Sequence, residues 1–269
     1  MRHPFDHVAR RRFRERSCAH PLCYDYVSTQ AAMRLYERLA DVKRCFDNVL
    51  IIDARCGTLG HALSSRHPIE RLVMLDESYG FSSLCAKRSK RFPMAKEQHC
   101  ITACAEMLPF DACAFDVIIV NYGLHLLNDI VGALAQLRRC LAHDGLFMAT
   151  MAGHGSLASL GEILIHAELA CRQGASTRIM PLPRMQDCPS LLKRAGFQHH
   201  VVDEDVLTYQ EDDFSRVIDI LRATGEQNCL ETRCRAFAPS ALFRHAEQRW
   251  QESSRTLTWQ LLTLTAWQH

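Results

Sequence analysis

What this 269-residue chain lacks narrows its class before any motif is considered. No apolar run reaches the roughly 18–20 residues that cross a bilayer, and no secretory signal is expected ahead of the body of the chain. Cys-x-x-Cys is absent although there are 13 cysteines. The nearest pairings, Cys18 with Cys23, Cys100 with Cys104 and Cys229 with Cys234, lack zinc-site spacing and convergent partners. An odd cysteine count in a chain of this length also argues against a small disulfide-stapled scaffold. The thiols are expected to be reduced and mostly buried as small hydrophobes, in a cytoplasmic, reducing compartment. Charge of one sign is missing too: 32 Lys and Arg face 30 Asp and Glu, for a net +2. That balance disfavours a nucleic-acid partner. One local excess stands out, Arg2, Arg10, Arg11, Arg12, Arg14 and Arg16. A targeting peptide or a phosphate-binding arm would account for it, and so would a solvated, charged first helix, which composition favours. No internal repeat or low-complexity segment is present.

Against these absences stand 48% hydrophobic and 23% charged residues, the balance of an ordinary globular domain. Residues 29–45 carry apolar positions at helical spacing. Short apolar runs then alternate with helical stretches. Strands are expected at 48–53, 71–76, 99–104, 114–120 and 145–150, and helices near 60–66, 78–91 and 128–142. Continuous Val/Ile/Leu runs between helices imply a parallel, doubly wound α/β sheet. Residues 151–255 are mostly helical, with an amphipathic helix over 156–174 stopped by Gly174. A loop, a short helix capped by Gly196 and a sixth strand follow, and 255–267 alternates into a seventh. The expected architecture is a seven-stranded sheet, five parallel strands then a C-terminal hairpin, under a helical cover. Residues 1–47 form an N-terminal helical segment, 48–150 the ligand-binding core, and 151–269 the cover and the strands that complete the same domain.

In such sheets ligands bind beyond the carboxyl ends of the strands. The first of these ends carries Asp53, Arg55, Cys56 and Gly57, in a turn whose free backbone N–H groups suit a carboxylate or phosphate. Asp76 ends the second strand, 23 positions after Asp53, near the distance expected of an acid that grips ribose hydroxyls. Helix capping alone would also explain a strand-end Asp. The pairing with Asp53 favours the ligand role. Arg55 and Leu59 stand where a nucleotide-binding turn usually has glycine.

The third and fourth ends are "ACAEMLPF" (103–110) and "VNYGLHLLND" (120–129). With "FDVIIVNYGLHLLND" and "LRRCLAHDGLFMAT" in this order, residues 48–150 resemble the class I S-adenosylmethionine-dependent methyltransferases, best those grouped as type 11. These share a Rossmann-like fold. The segments "FDHVARRRFRER", "RLYERLADVKRCF", "GSLASL", "LLKRAGFQHHVVDED" and "LRATGEQNC" extend the likeness over most of the chain. They are similar to a branch that joins bacterial methyltransferases with a mitochondrial complex I (NADH dehydrogenase) assembly factor. Malonyl-carrier-protein methyl esterases of biotin synthesis are more distant cousins. The arginine-rich start matches the branch's own beginning, which weakens the targeting-peptide alternative.

The resemblance implies S-adenosyl-L-methionine as cofactor. It implies that Asp53 and Gly57 lie against the methionine part, Asp76 on the ribose, and Ala105 and Glu106 beside the adenine. Asn121 would lie near the reactive methyl group, followed by His125. Arg55, Leu59 and Cys104 depart from the family pattern. A side chain forced into a glycine conformation costs about 1–2 kcal/mol, enough to weaken a site by about tenfold. Gly60 would compensate if the turn ran one residue longer, and Arg55 would if it faced the cofactor's carboxylate. Methyl transfer asks the protein mainly to align its reactants. Tyr122 and His125 are candidates to deprotonate or orient an acceptor, or else pack beneath the cover. The implied acceptor is a small molecule, a carrier-bound acyl group or a protein. The branch also implies arginine hydroxylation on a respiratory-complex subunit, or a non-catalytic assembly role. The pairs His166/Glu168 and His245/Glu247 fall at helical i,i+2 positions that face apart, so no metal site is expected of them.

Overall fold

The computed structural model describes residues 3–19, 26–66, 68–171, 174, 176–235 and 238–268. Arg2 and Cys23 lie outside the described residues. Two helices, α1 (His7–Cys18) and α2 (Tyr26–Ala40), precede the sheet. Then follow β1 (Asn48–Ile52), α3 (Thr58–Ser64), β2 (Arg71–Asp76), α4 (Tyr79–Arg91), β3 (Glu97–Thr102) and β4 (Phe115–Val120). The central part closes with α5 (Ile130–Cys140), β5 (Leu141–Ala152), α6 (Ala158–Cys171) and α7 (Cys188–Arg194). Last come β6 (His199–Gln210), α8 (Phe214–Thr224), α9 (Ser240–Gln251) and β7 (Thr256–Trp267).

The sheet order is β3-β2-β1-β4-β5-β7-β6. β1 to β5 run parallel, and β7 pairs antiparallel with both β5 and β6. This is the expected Rossmann-like arrangement. The C-terminal pair is a hairpin in its pairing only, because α8 and α9 lie between its strands. Strand order reverses between β1 and β4, which opens a crevice at their carboxyl ends. Apolar runs such as Val49–Ile52 and Val117–Val120 are buried because helices cover both faces. A separate apolar cluster packs α2, α6, α8 and α9 onto β7 around Trp250 and Trp259.

The expected strands and helices occur, with shifted ends. β3 starts at Glu97 rather than at 99, in register with Arg71. It is an edge strand whose residues are largely exposed or half-buried, so no apolar run marks it. The helix expected over 29–45 runs from Tyr26 to Ala40. Gly196, at φ 98°, ends the short α7 segment as expected.

A substantive correction concerns α1. Its arginines do not form a solvated helix: Arg10, Arg14 and Ser17, which share one face, are buried, while Arg11, Arg12 and Arg16 are exposed. The buried face lies over the carboxyl edge of the sheet, where acidic residues supply its counter-charges. Asp6 caps the helix by accepting from Ala9 N at 2.9 Å. The Glu15 carboxylate accepts from Gly80 N at 2.8 Å and from the Ser78 hydroxyl, which ties α1 to the start of α4. On its other side Gly225, at φ 74°, sits so close that a Cβ there would lie 2.8 Å from Ser17 Oγ and 3.1 Å from Arg14 Cα. Among the described residues no helix is long and apolar enough to cross a membrane.

Candidate cofactor and acceptor site

The turn after β1 is sharp because three of its residues adopt left-handed backbone: Asp53 at φ 57°, Arg55 at φ 48° and Gly57 at φ 74°. Gly57 is required twice over, by its φ and by Cys85 Sγ, which would lie 2.8 Å from a Cβ. Leu59 and Gly60 belong to α3 and face the sheet, where Gly60 lies close to Met74 and Leu72. Leu59 therefore needs no glycine conformation, and Gly60 does not lengthen the turn. Of the two departures from glycine in the motif, only Arg55 is strained, by about 1–2 kcal/mol. Its guanidinium turns toward the end of α8, donating from Nη1 to Thr224 O at 2.8 Å with Nη2 3.6 Å from Glu226.

Asp76 is buried at the end of β2, and its carboxylate accepts four hydrogen bonds. Two come from backbone, Arg55 N at 3.0 Å and Ser78 N at 2.9 Å. The other two come from Arg14, whose Nε and Nη2 meet Oδ1 and Oδ2 at 3.0 and 2.9 Å. The same Nη2 reaches Asp53 Oδ1 at 2.8 Å, so one guanidinium bridges the acids of both strand ends. Burial and the nearby Asp76 push the Asp53 carboxyl above its ordinary range against the pull of Arg14. Asp53 Oδ2 lies over Gly123, where a Cβ would come within 1.4 Å of it. Arg10 makes a second fork, to Glu77 at 2.9 and 3.1 Å, and donates to Leu126 O. The Arg14 and Arg55 guanidiniums both approach the Phe81 ring, at 6.0 and 5.7 Å from its centroid. With α1 docked, the hollow between Asp53, Glu77, Ala103 and Ala105 is reduced to about 10 Å³.

Cys104 lies in the loop after β3, half-buried, and Ala105 lines the same hollow. Glu106 is turned toward α5: its Oε1 accepts from Asp129 N at 2.8 Å, and its Oε2 lies 3.9 Å from Arg10. Cys56 O accepts from Arg88 at 3.3 Å. Asn121 follows β4 with its Oδ1 buried and without a hydrogen bond among the described residues.

Beyond the end of β4 lies a second hollow of about 230 Å³. Leu157, Ile179, Leu242 and Trp259 give it apolar walls. Tyr122, His125 and Glu226 line it on the side of β4 and α8. Tyr122 is at φ 60°, with its backbone N–H on Thr150 Oγ1 at 3.0 Å. Its ring is 5.0 Å from that of His125. His125 Nδ1 accepts from Ala152 N at 3.3 Å, and Nε2 is 3.6 Å from Glu226 Oε2. Arg178 also lines the hollow, but its charge is matched by the buried Glu168, which Ser176 holds as well. His166 is exposed and faces away from that carboxylate.

A model of the methyltransferase domain grouped as type 11 matches residues 52–149. The mitochondrial arginine-hydroxylase NDUFAF5 of Danio rerio is 31% identical over 251 residues, 91% of this chain and 75% of that protein. The chain belongs to the class I S-adenosylmethionine-dependent methyltransferases. Within this methyltransferase family, the malonyl-[acyl-carrier protein] O-methyltransferase of a Methylovorus species is 30% identical over 229 residues, 82% of this chain and 74% of its own. The crystal structure of YcgJ from Bacillus subtilis shares the fold, with a TM-score of 0.63 at 14% identity, covering 90% of this chain and 99% of that one.

The donor set suits the family's cofactor. The two Arg14 nitrogens donate side by side to the two oxygens of Asp76, which is how the hydroxyls of a ribose diol would approach it. The space does not suit it while α1 keeps this position, since Arg14 fills the place those hydroxyls need. Arg10, Arg14, Glu77 and Glu226 were not singled out as site residues by sequence reasoning. A signal existed for the first two, whose i,i+4 spacing with Ser17 at i+7 puts them on one helical face. Glu226 sits in a polar loop with no such pattern.

Proposed function

We propose that this chain binds S-adenosyl-L-methionine between the ends of β1 and β2 and methylates an acceptor seated in the hollow beside β4. The acid pair Asp53 and Asp76 carries this reading, since it presents acceptor oxygens in the geometry a diol requires. When bound, the cofactor supplies a methyl group on a sulfonium. The chain's part is to hold and align. Asp76 takes the ribose hydroxyls, Asp53 and the Gly57 turn flank the methionine end, and Ala105 and Glu106 border the adenine. Arg14 leaves Asp76 as the cofactor enters, so binding is opposed by the cost of breaking a buried, bidentate ion pair. Tyr122 and His125 line the β4 side of the second hollow, and Asn121 directly follows β4 next to Tyr122. The acceptor is a small molecule, a carrier-bound acyl group or a protein.

Likeness to the NDUFAF5 arginine-hydroxylase over 91% of the chain favours a second reading, oxidation of an arginine on a respiratory-complex subunit. The added mass of the product, a methylene or an oxygen, separates the two. Titration calorimetry with S-adenosylmethionine and S-adenosylhomocysteine tests the cofactor claim. Binding is expected to be weak in the wild type and at least about tenfold tighter in Arg14→Met. Loss of binding in Asp76→Asn is expected alongside. No heat from either protein up to millimolar ligand overturns the proposal.

A further inference from the structure

The hollow beside β4 is apolar on most of its wall, yet Glu226 stands at its inner side. The carboxylate lies 3.6 Å from Arg55 Nη2 through one oxygen and 3.6 Å from His125 Nε2 through the other. Neither is a hydrogen-bond distance, and Oε1 is buried with no hydrogen-bond partner among the described residues. A buried carboxylate oxygen left in that condition costs free energy that a donor from a ligand would recover.

The neighbours decide which ligand. Along the cleft and the hollow, five carboxylates (Asp53, Asp76, Glu77, Glu106 and Glu226) face three guanidiniums (Arg10, Arg14 and Arg55). Arg178 and Arg222, the further cations on the wall, are matched by Glu168 and Asp219. The excess is negative, which favours a cationic guest and disfavours an anion.

His125 does not compete for the role of proton acceptor. A backbone N–H can only donate, so Nδ1, which faces Ala152 N, is the acceptor of that bond. The proton of the neutral ring therefore sits on Nε2 and points at Glu226 Oε2. His125 faces one oxygen of the carboxylate, and Glu226 Oε1, 3.6 Å from Arg55 Nη2 and without a hydrogen bond among the described residues, is the one available to the guest.

Building on the proposed acceptor role of this hollow, we propose that it takes an apolar amine, whose ammonium group seats on Glu226 while its body lies along Leu157, Ile179, Leu242 and Trp259. Glu226 is the proton acceptor for that group. An N–H bond of the guest breaks, an O–H bond forms at Oε1, and the electron pair stays on nitrogen as a nucleophilic lone pair. His125 is a positioning residue.

Three probes of similar shape test this with the full-length protein: phenethylamine, phenethyl alcohol and phenylacetate. Calorimetric titration, with tryptophan fluorescence as a check through Trp259, is expected to give binding at least about tenfold tighter for the amine than for phenylacetate. Glu226→Gln should abolish that preference, and Leu242→Phe, which narrows the hollow, should weaken all three probes. Nitrogen-15 spectra of histidine-labelled wild type should show neutral His125 protonated at Nε2, shifting when the amine is added. Equal binding of amine and acid, or an amine preference that survives in Glu226→Gln, overturns the proposal. So does a proton on Nδ1, a result that needs no variant to fold. Titration with S-adenosylhomocysteine on the same samples and on Arg14→Met keeps the two questions apart: amine binding with no cofactor binding in any of them would leave this site standing and remove the methyltransferase reading.

Discussion

Two hollows share the carboxyl edge of the sheet, and they differ in what fills them. Between β1, β2 and α1 the space is taken by guanidiniums and carboxylates in close register, with about 10 Å³ left. Beside β4 the walls are leucine, isoleucine and tryptophan, and about 230 Å³ stands open. One side is held by directional, charge-assisted bonds that either form or break. The other is an apolar wall, which tolerates guests of varied shape because apolar contact is non-directional. The difference teaches that ligand access is governed separately on the two sides. The cleft is controlled by a few ion pairs of the chain itself, and the hollow by size and one charge.

The sharpest way to break this contrast is Asp76→Ala. It breaks the bidentate pair, leaves Arg14 with Asp53 as its remaining close counter-charge, and removes the acceptor for Arg55 N and Ser78 N. A loss of about 3–5 kcal/mol in the urea unfolding free energy is expected. The hollow beside β4 should still take phenethylamine in whatever fraction remains folded.

A smaller effect is expected from Asp6→Ala, which deletes the cap of α1 and costs about 1 kcal/mol. The Ala9 N–H and the Arg233 guanidinium hold the Asp6 carboxyl below its ordinary value. A depressed carboxyl stabilises the fold above its unfolded-state pKa of about 4 and loses that contribution as pH falls through the lower folded value. The urea midpoint of the wild type should therefore fall on acidification below about pH 4. Asp6→Ala should flatten part of that limb.

Arg55→Gly relieves about 1–2 kcal/mol of left-handed strain but gives up the bond to Thr224 O. The two nearly cancel, so stability should change by less than about 1 kcal/mol while cofactor affinity rises. Least of all, Phe243→Ala on the rim of the hollow should alter stability by no more than about 0.5 kcal/mol. Its effect should appear instead as weaker binding of the aromatic probes. A large stability loss there would mean that the hollow is as tightly built as the cleft.

Much of the fold was legible because the parallel strands are buried on both faces and so announce themselves as apolar runs. β3 was harder to place because an edge strand has only half its residues against the core. The strand-end acids were legible for a similar reason, since position along a strand and position in the crevice are the same thing. What occupies those acids was not. Arg14 lies 62 residues from Asp76, and a six-arginine segment looks the same in sequence whether it faces water or an acid pair. Arg55 showed as an anomaly, but the direction of its side chain depends on where α8 ends, which no local pattern encodes. Leu59 illustrates the converse: a missing glycine in the motif proved to be an ordinary helical core residue once the turn's length was known.

Gly225 gives these two compartments a common hinge pin. A side chain there would collide with the Ser17 hydroxyl and the Arg14 backbone, and the next residue along the chain is Glu226. Any withdrawal of α1 from the acid pair would therefore be felt at Gly225, one residue before Glu226. By reciprocity, whatever factor one guest imposes on the other's affinity is returned unchanged. Each compartment keeps its own control, and this glycine contact is the place through which any coupling between them would have to pass.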